Sequence, residues 1–335
     1  MLKELTLKTT LTLVALSLLA IFIFGCDSAE KKSPVKSEIT FVKDYQVALD
    51  MAKKNGQSVI IDFYTDWCYW CKVLDTVTYI DPTVIAFSDS IVFAKINAEV
   101  DTLIAQKYSI TGYPTIVIVD ADGNEIDRIV GYLPGEPFLE EVHNYLNGIG
   151  TLDDLLKRAE TEPSMEIYSA LGDKYAGRGM YDKAIEYYQK VVDGDPDNAD
   201  GFTDMALIAI GETMANLKEF DKAIAHYESI AQKYKGDSVA VSAKSSIGET
   251  YVRMKEFDKA IAQFDTIIKE FKGTDAAADA MLWKGYIYRS KTTDTASAIK
   301  VYEEFLKVFP THADTMHAKQ KLEELTNPPA PETEE

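Results

Sequence analysis

The sequence predicts two fold classes in series: an α/β domain with a central mixed sheet flanked by helices over residues 39–148, then an all-α solenoid of stacked helix pairs over 151–326. Three observations lead there. Apolar strand-like runs alternate with helical patterns as far as residue 148, and strand signals stop after residue 150. Beyond that point four related blocks recur: "YDKAIEYY" (181–188), "FDKAIAHY" (220–227), "FDKAIAQF" (257–264) and "TASAIKVY" (295–302). They align on Ala184, Ala223, Ala260 and Ala298 at spacings of 39, 37 and 38 residues, the mark of a repeat array. A length of 335 residues accommodates both parts.

Lys3 and Lys8 open the chain, and Leu11 to Phe24 is a mostly apolar run too short for a comfortable membrane span. The run ends in "IFGC", with small Gly25 before Cys26, and a charged, Ser-containing stretch follows. This resembles the lipobox of bacterial lipoproteins, where the peptide is cut before the cysteine and the sulfur carries a diacylglycerol. The resemblance implies a signal peptide over 1–25, lipidation at Cys26 and a polar tether over 26–38. It places the protein in the bacterial cell envelope, held to a membrane by lipid and facing the periplasm or the exterior. An ordinary signal peptide or an uncleaved anchor would still export the chain.

In the α/β part, residues 43–54 predict an amphipathic helix carrying Tyr45, Val47, Ala48 and Met51. "SVIIDFY" (58–64) reads as a buried strand, and a helix follows the cysteines at 68 and 71. "IVFAKINA" (91–98) is a second strand and 101–108 a second helix. "PTIVIVDADGNEIDRIVGY" (114–132) reads as two strands about an Asp-Gly turn. Residues 136–147 close the domain as a helix with Phe138, Leu139, Val142, Tyr145 and Leu146 on its apolar side.

In the repeats, each block starts the second helix of a pair, and a glycine lies in the helix before it: Gly172, Gly211, Gly248 and Gly285. Small residues there let two helix backbones approach closely. The aromatics Tyr188, Tyr227, Phe264 and Tyr302 are expected to fill space between neighbouring hairpins. Tyr168, Leu171, Gly172, Tyr175, Ala184, Tyr188 and Pro196 resemble the pattern of the tetratricopeptide repeat, and the resemblance covers about 165–312. A terminal helix (313–326) would cap the stack, and "NPPAPETEE" (327–335) reads as a disordered acidic tail.

The formal charge is −19, spread over both halves without a basic face, which argues against nucleic acid as a partner. There are three cysteines, so with Cys26 lipidated only Cys68 and Cys71 remain as thiols. Zinc needs about four ligands, and the α/β part offers no second pair and only His143, on its last helix. A structural disulfide over so short a loop removes little chain entropy. Redox chemistry is the better reading, with no metal and no cofactor beyond the cysteine pair itself. The pair follows a buried strand and opens a helix, where free N–H groups and the helix dipole stabilise a thiolate. Cys68, nearer the exposed end, is expected to attack, and Cys71, one turn in, to resolve the mixed disulfide.

With Asp62 on the strand, Trp67 before the first cysteine, the Cys68–Cys71 pair and "GYPT" (112–115), residues 39–148 resemble a thioredoxin-fold domain. The resemblance implies a cis Pro114 facing the disulfide and a Tyr113 that offers its backbone to an incoming substrate strand. It implies a buried Asp62 with a raised pKa that takes the resolving thiol's proton, and a Lys95 beside that carboxylate. Burial of Asp62 also follows from its neighbours Ile60, Ile61 and Phe63. Tyr69-Trp70, between the cysteines, departs from the commoner dipeptides; it would shield the disulfide or, with Trp67, form an apolar docking spot for substrate. "DWCYWCK" and "DPTVIAF" look closer to the reductant-side envelope thioredoxins, including the C-terminal domain of the Dsb transmembrane electron carrier.

These expectations describe a membrane-anchored envelope thiol–disulfide oxidoreductase of reductase type, acting on disulfide-containing protein clients. The repeat groove would recognise those clients or a membrane electron donor. The alternatives are a repeat scaffold of an envelope complex with a non-catalytic thioredoxin-like module, and an oxidase or isomerase.

Overall fold

The structure is a computed structural model, and it describes residues 37–327. The signal peptide, Cys26, nearly all of the tether and the tail beyond residue 327 lie outside the described residues. Among the described residues no helix is long and apolar enough to cross a membrane.

The first domain holds a five-stranded sheet in the order β1-β3-β2-β4-β5. Its strands are β1 (Phe41–Val42), β2 (Val59–Tyr64), β3 (Val92–Asn97), β4 (Thr115–Val119) and β5 (Glu125–Val130). β3 runs parallel to both β1 and β2, whereas β4 runs antiparallel to β2 and β5, so the sheet is mixed. The helices are α1 (Tyr45–Asn55), α2 (Tyr69–Val73), α3 (Pro82–Phe87), α4 (Thr102–Lys107) and α5 (Gly135–Leu146). A π turn, Leu74–Thr78, continues α2. β1 and α3 were not anticipated: a two-residue strand has no readable period, and α3 announces itself only through Asp81, whose carboxylate accepts from Thr83 N–H ahead of Pro82.

Side chains alternate across a strand, so the sheet has two buried faces. Ile60, Phe93, Ile116 and Ile118 face Leu74, Val84, Phe138 and Val142. Ile61, Phe63, Val117 and Val119 face Ala48, Leu49 and Ala105. Asp62 stands two residues beyond Ile60 and therefore lies on the face covered by the π turn, α3 and α5.

Then come α6 (Leu152–Thr161) and four hairpins: α7 (Met165–Ala176) with α8 (Tyr181–Gly194), α9 (Thr203–Asn216) with α10 (Phe220–Lys233), α11 (Ser238–Arg253) with α12 (Phe257–Glu270), and α13 (Asp275–Ser290) with α14 (Thr295–Val308). α15 (Thr315–Thr326) packs on α14 at the end of the stack. The repeat aromatics pack toward the next hairpin as expected, Phe264 on Trp283 for example, and they also fill a space the expectation did not include. Each ring lies against the glycine of its own hairpin: Tyr188 on Gly172, Tyr227 on Gly211, Phe264 on Gly248 and Tyr302 on Gly285. A flat ring over a bare Cα fills the crossing within the pair, so the glycine makes room for the aromatic as much as for the partner backbone.

A buried ion network joins the two domains. Asp127 on β5 is fully buried, 3.0 Å from both Lys174 Nζ and Arg178 Nη2 of the first hairpin. Its other oxygen accepts from Leu152 N–H at the start of α6 (2.7 Å). Arg128, also buried, donates to the Gly177 carbonyl (3.0 Å) and to the Tyr108 carbonyl (2.8 Å). Every charge here has an opposite partner and further hydrogen bonds, the condition under which burying it is tolerable.

Candidate redox site

β2 delivers the chain to a tight turn in which Cys68 N–H donates to the Thr65 carbonyl (3.1 Å). Cys68 is then the N-cap of α2, and its sulfur accepts from Cys71 N–H at 3.1 Å. The two cysteines are disulfide-bonded, with Cα atoms 5.3 Å apart. A sulfur already held by a helix-start N–H is the one whose negative charge that end stabilises. Exposure, however, does not separate the two: Cys68 is 4% and Cys71 2% exposed. What distinguishes Cys68 from Cys71 is its capping position.

The pair is flanked in sequence by large exposed aromatics, Trp67, Tyr69 and Trp70. Trp67 donates its indole N–H to Glu99 (2.9 Å) and meets Tyr113 edge-on, with centroids 5.8 Å apart. Trp70 stacks on Tyr132 at 5.5 Å and touches Tyr69 edge-on. The rim is thus pinned to the loops after β3, before β4 and after β5. Tyr113–Pro114 is a cis peptide bond, and Pro114 is buried, its carbonyl accepting from Gly131 N–H (2.9 Å). Glu99 and Tyr132 were missed by sequence reasoning, and nothing local marks either one.

Asp62 is wholly buried, opposite Lys95 on β3 and Ile116 on β4. Neither carboxylate oxygen has a hydrogen bond of ordinary geometry. Burial pushes its pKa up to about 7; Lys95, with Nζ 3.7 Å from Oδ2, and the nearby Tyr79 hydroxyl pull it back only in part. Lys95 divides itself between Asp62 and Asp75 of the π turn, and lies over the rings of Phe41, Tyr64 and Tyr79. A carboxylate poised near 7 exchanges protons readily at neutral pH. In the repeats, Asp279, His312 and Asp314 bring ligand atoms within 4.8 Å of one another, a grouping exposed carboxylates often adopt without an ion.

The sequence matches the thioredoxin-like domain family over residues 45–146. It matches tetratricopeptide repeat families over 140–199, 205–237 and 246–313. The thiol:disulfide interchange protein DsbD of Cronobacter sakazakii is 33% identical over 132 residues, covering 37% of this chain and 23% of that protein. The same protein of Vibrio vulnificus is 34% identical over 122 residues, covering 33% and 21%. The chain thus spans less than a quarter of the length of these relatives. Among solved structures, the oxidised C-terminal domain of DsbD from Neisseria meningitidis is 25% identical, with a TM-score of 0.29, covering 32% of this chain and 99% of that one. The chain therefore joins a thioredoxin-like domain of the thiol–disulfide oxidoreductase type, with its Cys-X-X-Cys pair, to a run of tetratricopeptide repeats.

Proposed function

We propose that the protein is a lipid-anchored envelope reductase that passes electrons from the Cys68–Cys71 dithiol to disulfide-containing protein clients. The observation that carries this reading is Cys68 Sγ, disulfide-bonded and hydrogen-bonded at the start of α2. In the reduced protein the Cys68 thiolate attacks a client disulfide, forming a mixed disulfide and releasing one client thiolate. Cys71 then attacks Cys68 Sγ, closing the protein's disulfide and releasing the second client thiolate. Two electrons leave the protein and reach the client. Asp62 takes the Cys71 proton as that sulfur attacks, which needs a base near neutrality in a dry site. No further cofactor takes part. A dithiol donor, in the envelope a membrane electron carrier, restores the reduced pair. The segment ending at Gly25-Cys26 supports the reading of export and anchorage, and the similarity to thiol:disulfide interchange proteins supports thiol–disulfide exchange.

The deciding experiment is the equilibrium of the Cys68–Cys71 couple against a glutathione or dithiothreitol buffer, together with turnover of a protein disulfide. A couple near the thioredoxin value, about −270 mV, supports reduction of clients; one near about −120 mV makes the protein an oxidant. A folded protein with accessible Cys68 and no turnover returns the domain to a scaffold role. Mass spectrometry of the mature N-terminus tests the anchor: any start other than a diacylated Cys26 removes it.

A further inference from the structure

Tyr69 and Trp70, between the cysteines, are exposed, yet they have the repeats across from them. Tyr69 and Trp70 share a cavity of about 640 Å3 with Ser245 and Glu249 of α11 and with Trp283 and Tyr286 of α13. Helices α11 and α13 of the repeats therefore stand across from Tyr69 and Trp70, the residues between the two cysteines. Both walls present fixed aromatics. Trp70 is braced by Tyr132. Trp283 lies flat on Phe264, with centroids 5.8 Å apart and planes 4° from parallel, and meets Tyr286 edge-on at 5.7 Å. Braced rings keep their place when a ligand enters, so little ordering cost falls on them.

The cavity continues along the groove. Ser245, Glu249 and Asp279 also line a second space of about 710 Å3 that reaches Glu212 and Asp237. Six carboxylates line the two spaces together: Glu212, Asp237, Glu249, Asp275, Asp279 and Asp314. Among the described residues no lysine or arginine lines either one. Burial and the like charge of Glu212 raise Glu249 to about 7, with Arg253 opposing in part. Arg253 faces Glu212 and Glu249, and His312 faces Asp275, Asp279 and Asp314. Arg253, Lys255 and Lys291 line an adjoining space beside Trp283 and Tyr286. Within the two spaces themselves the carboxylates outnumber the cations. Its size suits a few side chains and an extended backbone rather than the face of a folded domain.

We propose that the gap between Tyr69-Trp70 and helices α11 and α13 is the client cleft, and that it takes an extended, basic, cysteine-bearing segment with a bulky aromatic beside the cysteine. The aromatic lodges among Trp70, Trp283 and Tyr286. The segment's lysines and arginines run along the carboxylates toward Glu212. The repeats are then the second wall of the redox site and set which disulfides reach Cys68. This rests on the exchange reading above and adds the class of client.

The test uses the full protein, kept reduced by dithiothreitol, and two disulfide peptides of equal length. One carries Trp beside the cysteine and Lys/Arg flanks; the other has Asp/Glu flanks. We expect kcat/KM to favour the basic peptide by roughly tenfold at low salt. That preference shrinks as added salt shortens the screening length. The double variant Glu249→Gln, Asp279→Asn should lose most of the preference through KM, and Trp283→Leu should raise KM for the Trp peptide more than for an Ala peptide. Equal kcat/KM for the two peptides in the unaltered protein overturns the cleft while leaving exchange intact, and needs no variant to fold. Failure to reduce either peptide while Cys68 can be alkylated overturns the exchange reading itself.

Discussion

At Asp62 a carboxylate sits in the core with Lys95 at 3.7 Å as its nearest cation and no hydrogen bond of good geometry. Its folded pKa, about 7, lies above the ordinary 3.8, so the fold prefers the neutral form. The folded state then binds more protons than the unfolded one between those values, and stability falls as pH rises from about 4 to about 7 and levels off beyond. Asp62→Asn removes that slope. The variant should match the native protein near pH 4 and be more stable at pH 8 by on the order of 3 kcal/mol, read from denaturant midpoints. It should also slow release of the second client thiol at neutral pH; exchange kinetics unchanged from pH 6 to 9 would make Asp62 structural only. Cys71→Ser should accumulate mixed disulfides with clients, because the resolving thiol is gone, whereas Cys68→Ser should not. The reverse pattern exchanges their roles. Burial of Asp62 was legible from Ile60, Ile61 and Phe63 beside it, whereas the cis Pro114 came from the resemblance to a thioredoxin-fold domain. Glu99 and Tyr132 were not legible, because only the approach of separate loops to Trp67 and Trp70 gives them a place.

Among the elements, the repeat hairpins were the most readable, since glycine, alanine and aromatic recur at a nearly constant spacing. What the period could not say was that the ring also meets its own hairpin. Gly248 shows it: a Cβ there would stand 2.7 Å from Phe264 Cζ. Helix propensity alone would make Gly248→Ala stabilising by about 1 kcal/mol. Phe264 cannot yield, because Trp283 is stacked on its ring. Overpacking of this kind costs about 1–3 kcal/mol, so the expected net is a loss of about 1–2 kcal/mol in chemical denaturation. A gain would mean that the ring and Trp283 shift together. The short elements of the first domain were harder. β1 pairs over only two residues, and α2 passes into a π turn that no propensity marks.

For the whole molecule, the contact between domains was invisible in sequence, because Asp127, Arg128, Lys174 and Arg178 read as ordinary surface charges. Buried together, they couple the sheet to the first hairpin. Removing one member strands the others, at a cost of about 3–5 kcal/mol for a buried pair. The native protein should therefore unfold in one calorimetric transition, and Asp127→Asn should split it into two. A single unshifted transition in the variant would mean that the domains are held by other contacts.

The anchor at Asp127 and the aromatic wall at Trp283 stand at opposite ends of a known number of hairpins. The solenoid between them works as a caliper: its base is fixed on β5, and its far jaw stands across from Trp70. Each hairpin adds two helix widths of about 8–10 Å and a fixed rotation. Repeat proteins commonly gain or lose whole units with little harm to stability. Here, one hairpin inserted or removed between α8 and α11 would leave a well-folded chain whose jaw no longer stands across from Trp70. Copy number, usually the freest variable in such arrays, becomes in this protein a dimension of the active site.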